Sequence, residues 1–138
     1  MNLATLADRD LAERGERERL WFEERTYTNR ELHEASCKLA GGLSSLGIGA
    51  GDRVVVLLPN CPEVLISYPA IWRIGAVTVP VLSVLEAHEL AYILEHSGAR
   101  ACFASAGLDE EVAPHAPPSL ERMIRIGSAE YAALFDAE

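Results

Sequence analysis

The chain has 138 residues, about half of them hydrophobic and a quarter charged, so it is long enough for one domain with a real core. Its formal charge of −9 comes from 12 basic and 21 acidic residues, and Lys38 is the only lysine. That balance excludes a nucleic-acid binder, which needs a basic stripe to neutralise phosphates. Charge is unevenly spread. Residues 1–30 hold six arginines against seven acids, whereas residues 31–138 hold six basic groups against fourteen acids.

Leu3, Leu6, Ala7 and Leu11 stand at helical spacing, so residues 2–14 are expected to form a helix that stops at Gly15. Leu20–Phe22 and Thr26–Tyr27 flank Glu23–Arg25 and read as a short β-hairpin. Thr28 and Glu31 have the spacing of a capping box. Leu32, Ala35, Leu39, Leu43 and Leu46 follow as the buried stripe of a helix that ends at Gly47. Val54–Leu58 is an unbroken apolar run, as expected of a strand covered on both faces. Asn60 is placed to cap the next helix, with Pro62 in its first turn. Its stripe is read as Val64, Leu65, Tyr68, Ile71, Trp72 and Gly75, with Pro69 as a kink inside it.

Ala76–Val81 is the next expected strand, and Ala87–His96 a helix with Leu90, Ile93 and Leu94 inward. Ala99–Ala104 is a third strand. Residues 105–119 are an acidic, Pro-containing loop with room for one helical turn. Met123–Ile126 is a fourth strand, and Ser128 caps a last helix reaching Phe135. Strands alternating with helices imply an α/β fold: a mostly parallel sheet with flanking helices, preceded by a short hairpin, all within one unit over residues 1–138.

Few motifs carry chemistry. Gly47-Ile-Gly-Ala-Gly-Asp52 follows a helix and precedes a strand, the reverse of a dinucleotide fingerprint, and so reads as a helix end and tight turn. His33 and Cys37 lie one turn apart, and His88 and His96 lie eight apart beside Glu89. Neither set reaches the three or four ligands of a zinc site, so no metal is expected. His115 reads as a solvated loop residue, and Glu63 and Glu89 as acids on solvated helix faces. No Gly-rich loop follows a strand to hold phosphate, and no nucleophile stands beside a base. Cys37, Cys61 and Cys102 are odd in number and form no close pair, as expected of reduced thiols in a cytoplasmic protein. The uncharged run Ile74–Leu85 has 12 residues, short of the ~20 that a membrane span requires.

Four segments resemble the opening of the adenylate-forming (AMP-dependent) enzymes, which include acyl-CoA synthetases, luciferases and peptide-synthetase adenylation domains. They are Thr26-Tyr-Thr-Asn-Arg-Glu-Leu32, Leu46-Gly-Ile-Gly-Ala-Gly-Asp-Arg-Val-Val-Val-Leu-Leu-Pro-Asn60, Arg73-Ile-Gly-Ala-Val77 and His88-Glu-Leu-Ala-Tyr-Ile-Leu-Glu-His-Ser-Gly-Ala-Arg100. Together the resemblance covers about residues 2–127. It implies the N-terminal part of a larger N-terminal domain in a ligase that joins a carboxylic acid to CoA at the expense of ATP and Mg. The family's Ser/Thr/Gly-rich phosphate loop ending in Pro-Lys-Gly, and its later catalytic groups, have no counterpart here. No catalytic or cofactor-binding residue is therefore carried over, and the chain alone is expected to be inactive.

Many members read Val-Pro-Leu-Asn-Pro-Arg-Leu after the strand, and in some ligases that Arg contacts CoA phosphate. This chain has Val79-Pro-Val-Leu-Ser-Val-Leu85, with Val84 at the Arg position. This version resembles most the ligases for medium-chain, long-chain or alicyclic acids. Leu82, Val84 and Leu85 are then candidates to face an acyl or pantetheine passage, or else to pack against the remainder of the ligase chain. An exposed apolar surface around residues 60–85, with self-association through it, is also expected. The alternatives to a ligase segment are a stand-alone interaction or dimerisation module and one half of a split ligase.

Overall fold

Helix α1 (Ala4–Arg14) opens the chain and ends at Gly15, whose N–H reaches Leu11 O at 3.0 Å. In the computed structural model, which describes residues 1–137, this helix buries only Ala4 completely, and Leu3 and Leu6 stay about half exposed. Strands β1 (Glu18–Phe22) and β2 (Arg25–Thr28) form the expected antiparallel hairpin around Glu23-Glu24. Its register slips by one residue between Glu18 and Leu20, so Arg19 is the extra residue of a β-bulge.

Helix α2 (Asn29–Ser45) starts with the expected capping box. Thr28 Oγ1 accepts from Glu31 N–H at 3.1 Å, and Glu31 accepts from Thr28 N–H at 2.8 Å. Leu32, Ser36, Leu39, Ala40 and Leu43 make its buried face. Strands β3 (Arg53–Leu57), β4 (Val77–Pro80), β5 (Ala101–Ala104) and β6 (Arg122–Arg125) form one wholly parallel sheet in the order β4-β3-β5-β6.

Both faces of the sheet are covered, which is why its inner strands read as unbroken apolar runs. Val54 and Val56 point to one side, with Leu39, Leu43, Ile71, Phe103 and Tyr131. That layer is built by α2, α3 (Pro62–Arg73) and α6 (Ala129–Leu134). Val55 and Leu57 point to the other side, with Leu90, Leu94, Cys102 and Val112 from α4 (Ala87–Ser97), β5 and α5 (Leu108–Val112). From β3 the chain steps out through α3 to β4. It then crosses back over β3 through α4 to β5. The switch point of the sheet therefore lies between the carboxyl ends of β3 and β5.

Two local expectations are corrected. Asn60 is exposed and does not cap α3. The cap position is Cys61, Pro62 brings no N–H that needs a partner, and Val64 N–H is met by Cys61 O at 3.1 Å. The buried face of α3 is also rotated from the expected stripe. Ser67, Ala70 and Ile71 face the core, because α3 lies close against α2 and small residues permit that approach. Val64 and Tyr68 pack partly against that core as expected, whereas Leu65 and Trp72 lie outside it and border a space beside α1. The segment after β5 is more ordered than a loop: Val112 is fully buried beneath α4, and a 3-10 turn at Ala113–His115 follows α5.

Candidate functional site

Ligands of open parallel sheets bind outside the carboxyl ends of the strands, so those loops are the first place to look for chemistry. The loops after β3 and β5, Leu58–Cys61 and Ser105–Gly107, contain no cation and no glycine-rich turn that opens a long helix. Neither fits a nucleotide phosphate. The loop after β4 is apolar. Val81 continues the ladder through its N–H to Val56 O at 3.1 Å and is buried. Leu82 and Val84 are 70% and 84% exposed, whereas Leu85 packs against the α4 side of the core. Of the three sequence candidates, Leu82 and Val84 are the most open, and Leu85 is half-buried with part of its side chain bordering an open groove beside His88 and Tyr92.

The amino-terminal edge of the sheet is polar and fully occupied. Asp52 Oδ2 accepts from Gly49 N–H at 2.8 Å and from Arg100 Nη1 at 2.7 Å. The Gly49 N–H, assisted by the Arg100 guanidinium, holds the Asp52 carboxyl below its ordinary range. Arg100 Nη1 also donates to Gly47 O at 2.9 Å, and its other face grips Glu121 at 2.9 and 3.2 Å. Gly51 N–H reaches Gly75 O at 3.0 Å, and Val77 N–H reaches Asp52 O at 2.7 Å. Gly75 itself has φ +77°, and a Cβ there would stand 3.3 Å from Ala50. Three recognised segments, around Gly47–Asp52, Arg73–Val77 and Arg100, thus meet in one clamp that aligns the starts of β3, β4, β5 and β6. They hold the fold and lie at the edge opposite the switch point.

A second polar cluster fixes α1. Arg73 grips Asp8 with two bonds, at 2.8 and 3.3 Å. His33 Nε2 lies 3.6 Å from Asp8 and 3.7 Å from Cys37 Sγ, while His33 Nδ1 and Arg73 Nε are buried without a partner. No group of three metal-ligating side chains occurs among the described residues. The Arg73 bond holds the Asp8 carboxyl below its ordinary 3.8. A lowered folded value means that this stabilisation is fully present above pH ~3.8 and is lost as pH falls below it. Asp8→Asn is therefore expected to lower the thermal midpoint at neutral pH and to flatten its fall between about pH 4 and 2, read by circular dichroism.

Other candidates resolve as structure. Glu89 accepts from Glu86 N–H at 2.8 Å and caps α4, and His96 stacks on Tyr92 with ring centres 5.5 Å apart. His88 is exposed beside Glu86. Burial pushes the Cys102 thiol up to about 12, so it is an inert core residue. Asn29 was not legible as special. It is buried, accepts from Arg17 and Arg30 N–H, and donates to Gly15 O, joining α1, the hairpin and α2.

The family model described as AMP-binding enzyme matches residues 7–134. The chain belongs to the AMP-binding enzyme family. Among curated relatives, the acetyl-coenzyme A synthetase of Thiobacillus denitrificans is 41% identical over 98 residues, which is 67% of this chain and 15% of that protein. Triostin synthetase I of Streptomyces triostinicus is 38% identical over 111 residues, 78% of this chain and 21% of that protein. Among solved structures, an anthranilate CoA ligase in complex with anthranoyl-AMP superposes with a TM-score of 0.89 at 24% identity, over 99% of this chain and 27% of that one. A long-chain-fatty-acid-CoA ligase of Archaeoglobus fulgidus gives 0.86 at 25% identity, over 99% and 30%. The AMP-binding fold is thus reproduced over the whole described segment, and this segment spans less than a third of these relatives.

Proposed function

We propose that this chain is the N-terminal α/β portion of an AMP-forming acyl-CoA ligase and that it supplies scaffold rather than adenylation chemistry. The observation that carries this reading is the family match over residues 7–134 together with coverage of only 15% and 21% of the two curated relatives above. In such a ligase a carboxylate displaces pyrophosphate from ATP, with Mg, to give an acyl-adenylate. The CoA thiol then takes the acyl group and releases AMP. The residues described here do not fit ATP, so that step is assigned to the remainder of the ligase chain, and the chain alone is inactive. Leu82, Val84 and the half-buried Leu85 are the side chains of this portion offered to an acyl or pantetheine passage. With Val84 in place of Arg, the reading favours a hydrophobic acid. Three free cysteines agree with a reducing, cytoplasmic setting.

The test is the transcript beyond the Glu138 codon. The reading frame is expected to continue into a Ser/Thr/Gly-rich loop ending in Pro-Lys-Gly, and a stop codon directly after Glu138 would contradict the proposal.

Val77, Leu82, Val84 and Tyr92 are all about half exposed or more, at 47%, 70%, 84% and 64%. Leu82 and Val84 stand together on the loop after β4 and are the side chains expected to drive association, since contiguous exposed apolar groups mark interfaces. The 138-residue chain is expected to self-associate in sedimentation velocity as concentration rises. The Leu82→Ser/Val84→Ser pair is expected to suppress that association while leaving stability within ~0.5 kcal/mol, because neither side chain is in the core. A wild-type chain that stays monomeric at high concentration would refute this.

A further inference from the structure

The structure assigns a binding site for a small anionic amphiphile, one apolar ring carrying a carboxylate, to the half-open chamber between α1, the β1 strand, α2 and α3. The chamber has a volume of about 150 Å³, and Leu32, Leu65, Tyr68 and Trp72 form its apolar walls. A space of that size admits a single six-membered ring. It adjoins an open groove of about 470 Å³ between α1 and α3, so a ligand has a path in. Arg19 stands at the border of both spaces.

Three observations make Arg19 the anchor for a negative head group. It is the extra residue of the β1 bulge, and bulges re-aim a side chain away from the ladder's alternation. Among the described residues it forms no ion pair, although the arginines before and after it, Arg17 and Arg25, are both paired. The acid beside it in the chamber, Asp10, is already taken by Arg17 at 2.7 Å and Arg14 at 3.7 Å. Glu16 is turned away onto Thr28 and Arg30. An apolar chamber with one uncommitted guanidinium at its mouth selects a carboxylate attached to a compact apolar body. The chamber shares no residue with the loop after β4, so this site stands or falls independently of the proposed ligase role.

The test is a 15N–1H NMR titration of the 138-residue chain with phenylacetate, and with 2-phenylethanol as its neutral counterpart. Saturable shifts are expected at the Trp72 indole N–H and at the Leu32 and Tyr68 amides, with the Trp21 indole unmoved. Arg19→Ala and the neutral alcohol are each expected to weaken binding about tenfold. Leu65→Trp, which fills the chamber from a partly exposed position, is expected to abolish the shifts while spectral dispersion shows the chain still folded. Shifts that rise linearly without saturating, equal affinity for the alcohol, or unchanged affinity in Arg19→Ala would each overturn the assignment.

Discussion

Phe103→Ala is expected to lower the stability of the chain by about 3–5 kcal/mol, the largest loss from any single truncation here. Phe103 is fully buried on β5, one of the two inner strands of the sheet. Its ring meets Tyr131 of α6 edge-on with centres 6.0 Å apart, and Tyr131 in turn meets Phe135 at 5.1 Å. Removing it takes away burial, opens a cavity between the sheet and three helices, and strips the aromatic edge on which α6 rests. A globular domain has only about 5–15 kcal/mol to lose, so this single truncation removes a large share of the total. Urea denaturation reads the loss directly. A loss under about 1 kcal/mol would mean that β5 is not the centre of the core.

The second large effect has a sign that decides between two pictures. Gly42 lies in the last turns of α2, and a Cβ there would stand 2.7 Å from Leu134 Cβ and 2.8 Å from Leu134 C in α6. Were α6 not packed there, Gly42→Ala would stabilise the helix by about 1 kcal/mol through propensity alone. With α6 in place, the added methyl meets backbone, which cannot move aside as a side-chain tip can. The expected result is therefore a net destabilisation of about 1–3 kcal/mol, with α6 displaced first. Urea midpoints give the sign, and amide exchange in Ala129–Leu134 shows where the structure loosens. A stabilised Gly42→Ala would remove α6 from the fold described.

Much of this architecture is legible in the sequence because local rules and burial agree. Val54–Leu58 reads as an inner strand because both faces are covered. The Thr28–Glu31 box marks the start of α2, and Ser128 marks that of α6, where its hydroxyl accepts from Tyr131 N–H at 3.1 Å. What is not legible depends on partners far along the chain. Arg100 and Asp52 are 48 positions apart, and no periodicity foretells that they close one clamp. The stripe of α3 holds at Val64, Tyr68 and Ile71 and fails at Leu65 and Trp72, which look like core until α1 is seen to leave a chamber beside them. Asn60 satisfies every rule for a cap except that the helix begins one residue later. Leu85 and Val84 are one residue apart with similar chemistry, and only the path of the loop rests one against the core and sends the other into water.

The candidate site illustrates the same division. Three of the four segments that carry the family resemblance meet in the amino-terminal clamp. Chemistry in such sheets is expected at the other end, where the loop after β4 is apolar and the loops after β3 and β5 carry no cation. Fold and family were therefore readable from motifs whose side chains here are engaged in the clamp.

Carboxylate-dependent ATP–pyrophosphate exchange on the purified 138-residue chain tests this account most directly. Exchange is expected to be no faster than in a control without protein, for aliphatic and aromatic acids alike. Turnover above that control, dependent on the added acid, would contradict it.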